Sequence, residues 1–260
     1  MNIITGAAGF IGSHLVESLS EPHVLCDPAN KAMHSTNDVL SLLKSEDTIE
    51  CVYHLGAISS TTENDIVKLT TENILFSCKL LNLCIEKNIP FVYASSASVY
   101  GSGDNGFSEN AQLSPLNYYA ISKASFDMYV EQKIKEHPQA KIFGLRYFNV
   151  YGQNEDLKGD MASPIHKFIN QAKENKSINV FEGSDNFFRD FVYIDDVVYL
   201  TKNAPLFKKS GIYNVGTSCP RTFMDVAKIV ATHTMIVTGK QHRRYIQNLE
   251  KNYRFPQKHL

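Results

Sequence analysis

Charge of either sign in excess, paired-cysteine motifs, metal-ligand spacings and long apolar runs are all missing from this chain of 260 residues. Its 26 Lys and Arg stand against 27 Asp and Glu, a formal net charge of −1. Such a balance gives no electrostatic footprint for nucleic acid or for an anionic membrane. An anionic ligand must therefore be gripped by local groups. The five cysteines (Cys26, Cys51, Cys78, Cys84, Cys219) are an odd set without Cys-x-x-Cys. Cys26 and Cys51 fall in or beside apolar strand patterns, which reads as reduced, buried thiols in a cytoplasmic protein. The nine histidines include no His-Glu-x-x-His and no paired ligand spacing, so no metal is expected. No run approaches the ~20 apolar residues that span a bilayer. The N-terminus is apolar but lacks a basic n-region, so no signal peptide is expected. Internal repeats, low-complexity tracts and disordered linkers are absent too.

What is present begins at Met1. Asn2-Ile3-Ile4-Thr5 is a short β-branched run that predicts a buried strand. Gly6, Gly9 and Gly12 follow at three-residue spacing, and an apolar helical pattern starts at Phe10 and Ile11. Strand, glycine turn and helix are the context a dinucleotide fingerprint requires. Gly6 suits the tight turn, Gly9 lets backbone approach a pyrophosphate, and Gly12 lets helix pack on strand. The helix N-terminus offers N–H groups and partial positive charge to the phosphates. Asp27 ends the second strand pattern, where an acid can hydrogen-bond the adenosine ribose. An ordinary strand-end turn before Pro28 is the alternative. Lys31 could pair with a 2′-phosphate instead, so NAD against NADP stays open. Leu55, Gly56 and Ala57 end the next strand with small residues against the cofactor.

Strand patterns at Val24–Asp27, Glu50–Leu55, Ile89–Ser95 and Lys141–Arg146 alternate with helical ones at Asn37–Leu43 (capped by Asn37), Asp65–Asn88 and Asn117–Lys135. This alternation predicts an α/β chain, a Rossmann doubly wound parallel sheet with right-handed crossovers. Composition changes after Gly152. Residues 1–152 are expected to form the dinucleotide-binding domain, joined by strand pieces from 177–216. Residues 153–260 are expected to form mostly a small, truncated α/β substrate lobe. It would carry helices at Pro164–Glu174, Asp195–Asn203 and Thr222–Thr232 and short strands near Asn179–Phe181 and Gly211–Val215. Asp195 and Asp196 are expected to cap a helix, and Phe187, Phe188, Phe191 and Tyr193 to pack a strand.

Tyr119 and Lys123 are four residues apart, which places them on one helix face. An ammonium beside a phenol favours the phenolate, lowering a pKa that starts at about 10. Such a group can exchange a proton with a secondary alcohol near neutral pH. Ser96, at a strand end upstream, can hydrogen-bond the same hydroxyl. Alone the Tyr-x-x-x-Lys pair is commonplace; with Ser96 and the glycine turn it is specific.

Five stretches carry a resemblance: GAISSTTE (Gly56–Glu63), YASSASVYG (Tyr93–Gly101), PLNYYAISK (Pro115–Lys123), RYFNVYGQNEDLKGDMAS (Arg146–Ser163) and EGSDNFFRDFVYIDDV (Glu182–Val197). From Met1 to about Gly216 the chain resembles the ADP-L-glycero-D-manno-heptose 6-epimerases, extended short-chain dehydrogenase/reductases. The resemblance implies a catalytic triad of Ser96, Tyr119 and Lys123, with Asn73 completing the cofactor environment. It places Ser60, Asn149, Ser163, His166, Phe181 and Arg189 at the nucleotide sugar. Lys158, in composition one more solvated lysine, would by resemblance be the second proton donor, on the opposite face of the sugar. One tightly bound NADP or NAD per subunit, a small-molecule nucleotide sugar as partner and a homo-oligomer are expected. Arg189 can grip a pyrophosphate through two hydrogen bonds, or form a surface ion pair with Asp190. The competing readings are an NDP-hexose 4-epimerase or related NDP-sugar oxidoreductase, and a non-catalytic dinucleotide-binding protein.

Overall fold

The computed structural model describes residues 1–21, 23–27, 30, 32–175 and 177–236. In chain order the elements are β1 (Asn2–Thr5), α1 (Phe10–Ser18), β2 (His23–Cys26), α2 (Thr36–Ser45), β3 (Cys51–His54) and α3 (Ile66–Leu69). A π-helical turn, Thr70–Leu75, leads into α4 (Phe76–Glu86), then β4 (Phe91–Ser96), a 3₁₀ turn (Ala97–Tyr100), α5 (Tyr118–Glu136) and β5 (Ile142–Tyr147). There follow β6 (Asn149–Tyr151), a 3₁₀ segment (Glu155–Met161), α6 (Pro164–Asn175), β7 (Phe188–Arg189), β8 (Phe191–Tyr193) and α7 (Ile194–Asn203). The last are β9 (Gly211–Val215), β10 (Arg221–Thr222) and α8 (Phe223–Ile236). Among the described residues two compact units emerge, Met1–Tyr147 with Val198–Val215, and Phe148–Val197 with Gly216–Ile236.

The first unit holds a six-stranded parallel sheet in the order β2-β1-β3-β4-β5-β9. Every residue of β1, β3 and β5 is buried, as expected of parallel strands covered on both faces. The Rossmann-type sheet is thus the one its alternating pattern predicts. Ile3, Val52, Leu80, Leu81, Phe91, Phe126 and Val130 belong to one buried cluster within this unit. Strand order reverses between β1 and β3, the switch point where open α/β sheets bind ligands at strand carboxyl ends. The glycine turn after β1 and Leu55–Ala57 after β3 both stand there.

The second unit is smaller. β6 pairs with β8 in parallel and β7 with β10 antiparallel. α6 and α8 share a core of Phe168, Ala172, Val226, Ala227 and Val230.

Three local expectations need correction. α2 is capped by Ser35, not Asn37. The Ser35 side chain accepts the Asp38 N–H while the Asp38 carboxylate takes the Ser35 N–H, a reciprocal capping box. Asn179–Phe181 forms no strand; Val180 and the preceding Ile178 pack instead on the α6–α8 core. The long helix expected over 65–88 is interrupted by the π turn at Thr70–Leu75, a distortion that often marks a functional position. Cys26, Cys51 and Cys84 are buried, Cys78 is half-buried and Cys219 is exposed.

Candidate active site

The turn after β1 is built for close approach. Gly6 has φ +68°, and a Cβ there would lie 2.5 Å from the Gly56 nitrogen. A Cβ on Gly12 would lie 2.0 Å from the Gly6 carbonyl oxygen. Gly9 caps α1 with extended backbone, and its N–H donates to Gly6 O at 3.0 Å. Phe10 and Gly12 are buried in the first turn of α1, and Ile11 is partly exposed. The Asp27 carboxylate accepts the Ala8 N–H at 3.1 Å, which brings the end of β2 against the turn. Leu55 and Gly56 are fixed to Thr5 by backbone N–H bonds, Leu55 to its carbonyl (3.1 Å) and Gly56 to its hydroxyl (3.1 Å). This cradle, which a single Cβ would fill, fits a dinucleotide pyrophosphate at a helix N-terminus. Lys31 lies outside the described residues.

Asn73 stands in the π turn, 2% exposed. Its Oδ1 accepts the Ile58 N–H at 2.8 Å, and its Nδ2 donates to the Ile58 carbonyl and to Ser122 Oγ, each at 3.0 Å. The side chain expected beside the cofactor therefore acts as a brace between the Gly56–Ile58 segment and α5. Ser60 bonds Thr62 in the exposed turn that follows.

Tyr119, Ser96 and Lys123 come together in the first unit. Asn117 caps α5 by accepting the Ala120 N–H at 2.8 Å, so Tyr119 and Lys123 occupy its first two turns. Ser96 ends β4, accepts from the Ser98 N–H and hydroxyl, and hydrogen-bonds Tyr119. Burial pushes the Tyr119 phenol above its ordinary value; the Ser96 bond opposes this and the Asp127 charge adds to it. Burial also pulls the Lys123 ammonium down to about 8, against the pull of Asp127. Lys123 Nζ donates to the Ala94 carbonyl at 2.7 Å and sits 6.0 Å from the Tyr119 ring centroid. The expectation that Lys123 lowers the phenol is thus not met in this geometry. The ammonium is tied to the strand, and Ser96 is the group that eases the phenol's proton.

Sequence reasoning missed what anchors this helix. Asp127, one turn beyond Lys123, is fully buried. It accepts Tyr93 Oη at 2.8 Å and Ser95 Oγ at 2.9 Å from β4, and Arg146 Nε at 2.8 Å from β5. Arg146 passes the contact on to Tyr100 Oη at 2.8 Å. One carboxylate therefore pins the Tyr119–Lys123 helix to two strands. A charged residue inside each apolar pattern was the available signal.

The remaining expected residues lie in the second unit. Asn149 Nδ2 donates to the Asp190 carbonyl at 3.1 Å. The Arg189 guanidinium donates to the Phe188 carbonyl at 2.7 Å and stands 5.8 Å from the Phe223 ring centroid. Phe181 packs edge-on to Phe223 and Phe187, half exposed. The Asp190 carboxylate takes the Thr217 and Ser218 N–H groups at 2.7 and 2.8 Å. Lys158 Nζ meets Glu155 at 3.0 Å and the Val150 carbonyl at 2.8 Å. Ser163 Oγ donates to Glu155 at 2.8 Å, and His166 Nδ1 is 4.0 Å from the same carboxylate. Among the described residues no group of three His, Cys, Asp or Glu could hold a metal ion.

Known proteins are similar to this chain over most of its length. An ADP-L-glycero-D-manno-heptose-6-epimerase of Brachyspira hyodysenteriae is 39% identical over 88% of this chain and 79% of its own. The crystal structure of the Helicobacter pylori ADP-L-glycero-D-manno-heptose-6-epimerase matches at 30% identity with a TM-score of 0.79, covering 90% of this chain and 81% of that one. A Thermus thermophilus UDP-glucose 4-epimerase in complex with NAD matches at 29% identity with a TM-score of 0.74, over 90% and 84%. Residues 2–216 fit the sequence profile of the NAD dependent epimerase/dehydratase family, and with the glycine cradle and the Ser96–Tyr119–Lys123 group in place, the chain belongs to that family.

Proposed function

We propose that this chain is a nucleotide-sugar epimerase that inverts C6 of ADP-D-glycero-D-manno-heptose to give ADP-L-glycero-D-manno-heptose, passing through a 6-keto sugar. The observation that carries the reading is the Ser96–Tyr119–Lys123 group on β4 and α5, in a chain most of whose length is matched by an enzyme of that name. The Gly6–Gly12 turn would hold a nicotinamide dinucleotide, which when bound would supply the oxidising and reducing equivalents of a redox-neutral cycle. Gly6, Gly9, Phe10, Ile11 and Gly12 would hold its pyrophosphate, Asp27 its adenosine ribose, and Leu55–Ala57 would flank it. Ser96 holds the C6 hydroxyl of one epimer and Tyr119 takes its proton. The ketone then presents its other face, which carries the oxygen away from Tyr119. Lys158 returns a proton there. Asn149, Phe181 and Arg189 bind the nucleotide part of the substrate, with Arg189 the group suited to a diphosphate.

Incubation with ADP-D-glycero-D-manno-heptose, followed by NMR of the C6 configuration, is expected to show conversion to a mixture of epimers without net reduction of cofactor. UDP-glucose runs beside it, because 4-epimerases of that sugar share the fold. Turnover of UDP-glucose and not of the heptose would replace the reading with C4 epimerisation. Cofactor retention with turnover of neither would replace it with dinucleotide binding alone.

The reading extends to a homo-oligomer acting in the cytoplasm. Among the described residues no helix is long and apolar enough to cross a membrane. Ile66, Val67, Leu75, Ile121 and Met128 leave large apolar side chains exposed along α3 to α5, more than single scattered surface residues require. Light scattering is expected to give a multiple of 29.2 kDa; a monomer would remove this extension.

A further inference from the structure

Glu155 lies in the Arg146–Ser163 stretch with no role assigned to it, and in the sequence it sits in a charged, glycine-containing loop. Yet it is 1% exposed, the sole buried charged side chain of the second unit among the described residues. A carboxylate taken out of water is expensive unless paired and hydrogen-bonded, so its partners are informative. Oε1 faces Lys158 Nζ at 3.0 Å. Oε2 accepts Ser163 Oγ–H at 2.8 Å. Ser163 Oγ in turn accepts the His166 backbone N–H at 3.2 Å, so that it caps α6. The charged and titratable groups around this carboxylate are Lys158 on its own segment, His166 from α6 at 4.0 Å, and Asp156, which lies 3.2 Å from His166 Nε2.

The same arrangement fixes the lysine. Its ammonium is held from its own 3₁₀ segment by Glu155 and from β6 by the Val150 carbonyl at 2.8 Å. A lysine stem has four carbons and loses roughly 2 kcal/mol of rotamer entropy when ordered, so a solvated loop lysine would not keep one geometry unaided. Glu155 and the Val150 carbonyl together hold the ammonium in one place.

We infer that Glu155 is a positioning residue for Lys158: clamped to the start of α6 by Ser163, its carboxylate aims the ammonium that delivers the second proton. The catalytic half of this inference rests on the proposed function; the ordering of the lysine does not. In the step it serves, an N–H bond of Lys158 breaks and an O–H bond forms at the sugar C6 oxygen. The amine then takes a proton from water and Tyr119 releases one, so the proton count closes, and Glu155 is unchanged. Ser163 and His166 then act through this clamp. The Ser163 hydroxyl, assigned by resemblance to the sugar, is engaged by Glu155 and the α6 backbone.

The test uses the full chain as Glu155→Gln, Glu155→Ala and Ser163→Ala variants. Gln keeps an oxygen for Lys158 and an amide for Ser163, so it should behave as wild type in geometry. With ¹⁵N-labelled lysine, the ammonium signal of Lys158, assigned through Lys158→Arg, is expected in wild type and Glu155→Gln. It should broaden away in Glu155→Ala and weaken in Ser163→Ala. With the ADP-heptose, Glu155→Ala should still reduce nicotinamide in a single turnover. C6 inversion should fall about ten- to a hundredfold at little-changed KM, and Glu155→Gln should restore it. An ammonium signal indifferent to Glu155→Ala overturns the inference, as does a parallel loss of oxidation and inversion. If wild type leaves ADP-heptose untouched, the functional reading fails and the ammonium signal alone decides the clamp.

Discussion

Tyr119→Phe is expected to slow epimerisation roughly 10²–10⁴-fold while leaving dinucleotide binding and thermal stability near wild type. The substitution removes one oxygen from the second residue of α5 and keeps the ring. That oxygen is the group on which Ser96 acts. Burial holds the phenol high and Ser96 is the group that eases its proton, while the Lys123 ammonium, bonded to the Ala94 carbonyl, holds α5 against β4 beside them. Lys123 loses its charge as pH rises through about 8, so kcat should decline on the alkaline side from there. The same burial acts on stability with a definite sign. The folded value of Lys123 lies below its unfolded value of about 10.4. The unfolded chain therefore binds more protons between the two, and this group's contribution to stability rises with pH across that window. The checks are steady-state rates and a kcat–pH profile. Turnover by Tyr119→Phe close to wild type would remove the phenol from the mechanism.

Asp127→Ala should cost about 3–5 kcal/mol of folding stability, read as the midpoint and slope of urea unfolding. The pair is 0% and 1% exposed, so removing the carboxylate strands the Arg146 guanidinium away from water. It also leaves Tyr93 Oη and Ser95 Oγ without their acceptor. Arg146 keeps the Tyr100 hydroxyl and the Glu109 carbonyl at 2.8 and 3.2 Å, which moderates the loss without cancelling a charge. Replacing both members by apolar residues, Asp127→Leu with Arg146→Met, should recover much of it, since a buried pair is often no more stable than well-packed hydrocarbon. Activity should not recover in parallel, because the double variant loosens the clamp that seats Tyr119 and Lys123 against β4. An unchanged midpoint for Asp127→Ala would show that the pair contributes nothing to the fold.

The two predictions differ in how visible their residues are in the sequence. Tyr119 and Lys123 are legible because the helix repeat puts residues four apart on one face. Gly6, Gly9 and Gly12 are legible because a turn that excludes Cβ atoms can be written almost only in glycine. The parallel sheet follows from strand and helix patterns that alternate along the chain. The Asp127–Arg146 pair joins a helix to a strand across a chain reversal, and no local period links positions so placed. Glu155 sits in a run of charges that reads as solvated until the chain folds over it. Ser35 instead of Asn37 as a cap, and the π turn that carries Asn73, depend on where a helix starts or slips by one residue, which side-chain pattern does not resolve. The segment around Asn179–Phe181 shows the converse, with Ile178 and Val180 serving a helix pair in place of a sheet.

The cysteine distribution has a practical corollary. Burial pushes Cys26 and Cys51 up to about 12 and Cys84 higher still, and Cys78 is raised by the same cause. Thiolate, not thiol, reacts with electrophiles, so these four should stay silent towards a maleimide at neutral pH. Cys219 is exposed, and its N–H rests on Thr217, which is bonded to Asp190 beside Arg189. A single fluorophore can thus be attached to the native chain without removing any thiol, a few residues from the arginine assigned to the diphosphate, where its emission would report ligand arrival.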